Sequence, residues 1–231
     1  MSVKLAKVNT VNASFYLTFL ALFGTTAATV IASFYPGAHS SDENKILADA
    51  LLLETAVNFI ATYFYSLFVR GAERGSIDVK RITPFRYLDW ALTTPFLLSA
   101  IILYFHYLRY KVDNTEKVNF RPLAILLPLN WLMLYAGYIG ETNSKYKWSG
   151  LTIGFIAFAS MAYILWTNYV KDTVPETKWL FLFFVITWGL YGVAYLLKDK
   201  AKNITYNALD LVAKVLFSLY TIFVIINNNH S

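Results

Sequence analysis

The chain contains no cysteine, so disulfides and thiolate metal sites are both excluded. Charge is nearly as scarce. Only 15% of the 231 residues are Asp, Glu, Lys or Arg, where a soluble globular domain carries roughly a quarter. No low-complexity segment occurs beyond the terminal "NNNHS", and there is no internal repeat or polar stretch long enough for a soluble domain. A cleavable signal is also missing. Lys4 and Lys7 precede an apolar stretch too long for a signal-peptide core, and no small-residue cleavage site follows. The first apolar stretch is therefore expected to stay in the mature protein.

Apolar residues fill the space that charge leaves. The sequence is 57% hydrophobic, with a mean hydropathy of +0.47. Seven apolar stretches, at about 11–34, 46–69, 85–107, 122–140, 150–170, 178–197 and 206–227, each approach the roughly 20 residues needed to cross a bilayer. The expectation is an all-α membrane protein, a seven-helix bundle forming one domain over 1–231 and lying in a lipid bilayer. The longest polar loop, 70–86, has room for a short hairpin. Net charge is +6, but the basic residues lie between the apolar stretches, so headgroups and water are their expected neighbours rather than nucleic acid.

Orientation by charge is awkward. With the N-terminus outside, the inner loops hold Lys45, Arg109, Lys111, Lys117, Arg121, Lys171 and Lys178. The outer segments hold more: Lys4, Lys7, Arg70, Arg74, Lys80, Arg81, Lys145, Lys147, Lys198, Lys200 and Lys202. The positive-inside rule alone favours the opposite orientation.

Charge inside the apolar stretches is the informative feature, because each such residue costs roughly 2.5–3.5 kcal/mol at a helix centre in lipid. In "RYLDWALTTPFLLSA" the spacing puts Arg86, Asp89 and Thr93 on one helix face. In the last stretch Asn207, Asp210, Lys214 and Ser218 form a second polar stripe. A buried cation at Lys214 calls for anions, which Asp89 and Asp210 supply, and Arg86 can balance the second carboxylate. A self-neutralising network that only joins helices is the blander reading. Such networks seldom stabilise better than apolar packing, whereas ionisable groups within a membrane are functional by default. A lysine amine held out of water also suits Schiff-base chemistry. Trp90, Trp188, Tyr191 and Tyr195 lie where they could box a flat conjugated ligand.

"RYLDWALTTP" together with "DLVAK" in the last stretch resembles the microbial (type 1) rhodopsins, and the resemblance spans all seven stretches. It implies all-trans-retinal on Lys214 as a protonated Schiff base, in the bundle core. It further implies Asp89 and Asp210 as counterions, Arg86 as their linked arginine, and Thr93 one turn after the first counterion. Trp90, Leu97, Met133, Gly137, Trp188, Tyr191 and Tyr195 match pocket positions. The chain departs from many relatives at Gly192, where they have proline, at Tyr195, where they have tryptophan, and near Gly154, where a pocket tryptophan is missing. An altered pocket shape and colour are expected. The family places the N-terminus outside, against the charge count, and implies a photoreceptor rather than an enzyme, a homo-oligomer, and no metal site. The expected location is an integral, multi-pass one, in the plasma membrane of a host cell.

Three activities are compatible with that resemblance. Outward proton pumping needs a carboxylic donor where this chain has Ala100, and the outer proton-release positions match Lys202 and fall near Lys200, so efficient pumping is disfavoured. Glu54 lies mid-stretch in "ILADALLLETAVNFIATYFY", where light-gated channels of green algae have a gate glutamate. Glu54, Asn58 and Tyr65 share a face, and Ser14, Thr18 and Thr25 form a stripe in the first stretch. With Asn207 these could line a hydrated path, with Asp49 and Glu43 at its inner mouth. The whole pattern looks most like the rhodopsins of large algal viruses, some of which are light-gated cation channels. The expectation is a light-gated channel for inorganic ions, cations or protons, with a slow outward pump and a photosensor signalling through a separate partner as alternatives.

Overall fold

The computed structural model describes residues 10–73, 79–114 and 117–228. Among these it holds seven helices long and apolar enough to cross a membrane. They are α1 (Thr10–Ser33), α2 (Asp42–Glu73), α3 (Val79–Tyr110), α4 (Leu123–Thr142), α5 (Lys147–Leu165), α6 (Pro175–Ala194) and α7 (Asp199–Asn227). The chain is thus an integral, multi-pass membrane protein. Residues 70–73 and 79–86 are helical, which takes up the chain that a hairpin at 70–86 would use; Lys4, Lys7 and Arg74 lie outside the described residues.

Local chemistry sets the helix ends. Ser41 caps α2 by accepting the Asn44 N–H at 3.2 Å, and Asp42 and Glu43 lie in the first turn, where the helix dipole favours anions. Pro175 opens α6, where its missing N–H costs nothing. Two π-helical turns interrupt the regular winding: Trp166–Val170 at the end of α5 and Leu211–Leu216 in the middle of α7. The second carries Lys214.

Consecutive helices pack as neighbours, and α7 returns to α1 and closes the ring. The bundle is apolar on its outside and buries its intramembrane polar groups among apolar clusters within. Large apolar side chains such as Leu17, Phe23, Ile31 and Phe59 are 60–72% exposed on its outside, while Thr18, Thr25, Thr29, Glu54, Asn58, Asp89 and Asp210 are buried. Lipid as the outer solvent accounts for the exposed apolar surface. In α1 the buried hydroxyls of Thr18 and Thr29 bond carbonyls of their own helix at 2.9 and 3.0 Å, so they enter the interior already satisfied. Consecutive helices run antiparallel. The end at which α1, α3, α5 and α7 begin is called the first end below, and the other the second.

Candidate functional site

Lys214 is 2% exposed and lies at the bundle centre. Its Nζ is 3.0 Å from Asp89 Oδ2 and 3.7 Å from Asp210 Oδ1. The two carboxylates are held very differently. Asp210 accepts hydrogen bonds from Tyr65 at 2.7 Å, Tyr191 at 2.7 Å and Trp90 Nε1 at 3.3 Å, and Arg86 Nη1 lies 3.6 Å away. Asp89 bonds Lys214 alone among the described residues, and its Oδ1 is buried with no partner. Thr93, one turn on, donates to the Asp89 backbone carbonyl at 2.8 Å rather than to the carboxylate.

Towards the first end, Arg86 anchors a second layer. It donates to Asn207 at 2.8 Å, Tyr65 at 3.2 Å and Asn203 at 3.3 Å, and its guanidinium carbon lies 5.4–5.9 Å from five ring centroids, those of Phe15, Tyr65, Phe68, Trp90 and Tyr206. Asn207 in turn donates to Ser14 at 2.9 Å.

A third polar cluster lies towards the second end. Glu54 is fully buried; its Oε1 accepts from Thr221 at 2.9 Å and its Oε2 has no partner among the described residues. Asn58 donates to Ser218 at 2.7 Å and to the Glu54 backbone carbonyl at 2.9 Å. Beyond it stands an apolar and aromatic cluster that includes Leu47, Leu51, Tyr104, Tyr107 and Ile225.

The residues expected along the ion path lie at different depths in the bundle. Ser14 and Asn207 bond each other and belong to the Arg86 layer, whereas Glu54 pairs with Thr221, so these residues do not form one cluster. Tyr65 shares a helix face with Glu54 but lies about three turns from it and bonds Asp210. Asp49 is exposed, on a different face of α2 from Glu54, so it does not join the Glu54 cluster.

Beside Lys214 an apolar cavity of about 110 Å³ opens between α3, α4, α5, α6 and α7. Trp90, Leu97, Met133, Gly137, Trp188, Tyr191 and Tyr195 all line it, as do Gly154 and Gly192. Thr93 does not; its neighbour Thr94 does, held by Asn130 at 2.7 Å. Missing side chains leave room in this region: a Cβ at Gly137 would meet the Tyr87 hydroxyl at 2.9 Å, and one at Gly192 would meet the Phe155 ring at 2.5 Å. The cavity therefore combines one amine, a carboxylate pair behind it, and flat aromatic walls.

Sequence reasoning missed a buried ion pair nearer the first end. Lys202 Nζ lies 3.0 Å from Glu141, with side chains 8% and 7% exposed. Both residues sit at the borders of polar stretches that read as loops. The available signal was the position of Glu141 four residues after Gly137, on the same face of α4 as the cavity wall.

The sequence model of the bacteriorhodopsin-like proteins matches residues 12–228. Green-light absorbing proteorhodopsin of Gamma-proteobacterium EBAC31A08 is 30% identical over 186 residues, covering 74% of this chain and 71% of the relative. Sensory rhodopsin I of Haloarcula marismortui is 27% identical over 216 residues, covering 84% and 85%. Among solved structures, the viral rhodopsin OLPVRII superposes with a TM-score of 0.80 at 31% identity, over 93% of this chain and 96% of that one.

Proposed function

The chain belongs to the bacteriorhodopsin-like family, the microbial rhodopsins, and from that membership we propose that it is a retinal-binding photoreceptor that acts as a light-gated channel for cations. The family is one of photoreceptors and transporters rather than enzymes. The residues present fit retinal: Lys214 offers the amine for a Schiff base, the aromatic cavity beside it suits a flat conjugated chain, and Asp89 and Asp210 balance the cation. Bound there, retinal supplies light absorption and a change of shape at the lysine nitrogen.

Every other step belongs to the protein. Asp89 is the group set to take a proton from the Lys214 nitrogen, since one oxygen is already 3.0 Å away and the other is uncommitted. Asp210, with three hydrogen bonds and Arg86, keeps its charge in place. Once Asp89 is neutral, Arg86 and Asp210 lose part of the field that held them, and the Tyr65–Asn207–Ser14 bonds are free to rearrange. The observation that carries the channel reading is the Glu54–Thr221 contact. It joins α2 to α7 on the far side of Lys214 from Arg86, where a separation of the two helices would admit water. Fixed carboxylates along such a route favour cations over anions. In this reading the first end, with the N-terminus, faces outside.

A pump is the second reading, favoured by the ready acceptor Asp89 and opposed by the fully buried Ala100 at the family's donor position. Voltage clamp with retinal supplied separates the two. A photocurrent that reverses with voltage and follows the cation gradient is expected. A current outward at every voltage would establish the pump, and a coloured, surface-expressed protein without current would make it a sensor.

A further inference from the structure

Glu141 is a buried carboxylate outside the machinery just described. It sits in the last turn of α4. Its Oε1 receives Lys202 at 3.0 Å and Thr83 at 3.1 Å. Its Oε2 receives the hydroxyls of Tyr87 at 3.2 Å and Tyr206 at 3.4 Å. The donors come from α3 and α7, so one carboxylate ties three helices. Helix joining alone explains such a pair poorly, because apolar side chains of similar volume join helices as well or better.

What distinguishes this pair is where its phenol bonds lead. Tyr87 and Tyr206 both line the central cavity. They also flank Trp90, edge to face, with ring centroids 5.2 and 4.9 Å away. Trp90 Nε1 donates to Asp210 Oδ1, the same oxygen that lies 3.7 Å from Lys214. A continuous set of contacts thus runs from Glu141, through two phenols and one indole, to the counterion. The Tyr87 hydroxyl also bounds the cavity at Gly137. The second partner of Lys202 is Asp199, at 3.2 Å and 61% exposed, which faces water instead of the phenols.

We propose that Glu141, neutralised by Lys202, is a positioning residue that fixes Tyr87 and Tyr206, and through them Trp90 against Asp210, and so sets the colour of the pigment from outside its pocket. The colour effect rests on the retinal reading; the positioning of Trp90 does not.

The test compares Glu141→Gln with the double variant Glu141→Gln/Lys202→Gln in full-length protein in membranes. The double variant removes both charges together, so no unpaired buried charge remains to prevent folding. Both are expected to shift the visible absorption maximum. Tyr87→Phe and Tyr206→Phe each give a smaller shift, and either one combined with Glu141→Gln gives less than the sum, as residues acting through one network do. Asp199→Asn leaves the band in place. A purely structural ion pair predicts a wild-type band in the double variant, and that result overturns the proposal. A second readout needs no pigment: the Trp90 indole N–H resonance in ¹⁵N-tryptophan-labelled protein, assigned by its loss in Trp90→Phe. It is expected to move in both Glu141 variants, and an unmoved resonance overturns the proposal. If the wild-type protein stays colourless, the retinal reading fails and takes the colour effect with it, and the resonance decides whether Glu141 positions Trp90.

Discussion

At the scale of single residues, the difference between Asp89 and Asp210 is the central fact. Asp210 has three hydrogen bonds and two cations within 4 Å; Asp89 has one lysine. Breaking a buried ion pair by removing one partner costs about 3–5 kcal/mol, and the cost grows with the donors left stranded. Asp210→Asn is therefore expected to lower the melting temperature more than Asp89→Asn, measured by thermal denaturation; equal losses would mean that the hydrogen bonds to Asp210 contribute little. Lys214→Ala removes the only amine at the cavity wall among the described residues and is expected to abolish covalent pigment, read as loss of the visible band after retinal is added. A normal band in that variant would sink the assignment of the lysine. Glu54→Gln keeps the shape and removes the charge. It should leave the pigment coloured while changing current size or selectivity; unaltered currents would take Glu54 out of the gate. The charges of α3 and α7 were legible in the sequence because both sets lie on single helix faces, at i, i+3 and i, i+4 spacings. Spacing gives a face but not its rotation: Thr93 lies buried one turn past Asp89, while its neighbour Thr94 meets the cavity.

At the scale of elements, proline makes the instructive case. Pro95 has no N–H to offer the carbonyl of Ala91, four residues back, in the middle of α3. The indole of Trp131 on α4 supplies the missing donor at 3.0 Å. A proline in one helix is thereby met by a tryptophan in the next. Trp131→Phe strands that carbonyl and is expected to destabilise the fold by about 1–3 kcal/mol, measured by thermal or denaturant unfolding in detergent. Pro95→Ala added to it restores the intrahelical bond and should recover part of the loss; no recovery would mean the indole acts by packing alone. Pairings of this kind were not legible beforehand. Ser14 lies one turn from the start of α1, at the far end from the short turn leading to α2, whereas Glu54 lies twelve residues into α2. Each reads as a polar residue on an inward face, and only the packed depth of the helices shows that Ser14 meets Asn207 while Glu54 meets Thr221. Glu141 was hidden for the opposite reason, since it sits where an apolar run meets a polar one.

At the scale of the whole molecule, seven apolar runs separated by polar segments were enough to read the bundle, because lipid leaves the backbone few alternatives to the helix. Orientation is the property on which two arguments collide. Basic residues are more numerous on the side that the family places outside, and short loops follow the positive-inside rule only as a bias. The first end is expected to face outside. A tag fused at the N-terminus should be reached by an impermeant reagent on intact cells, and labelling only after permeabilisation would show the reverse.

The charges in the two central helices have a consequence for how the protein is made. Helix α3 carries Arg86 and Asp89, and α7 carries Asp210 and Lys214, with opposite signs three or four residues apart. Each helix thus holds one cation and one anion within a helical turn, before any neighbour exists. A segment leaving the ribosome can partition into lipid as a locally neutral unit, and α3 need not wait for α7, which is synthesised more than a hundred residues later. In the assembled bundle Lys214 gains Asp89 at 3.0 Å while keeping Asp210 at 3.7 Å, and Arg86 lies 3.6 Å from Asp210 across the bundle. The same four charges that ease membrane entry as two local pairs thus become one network across the bundle centre.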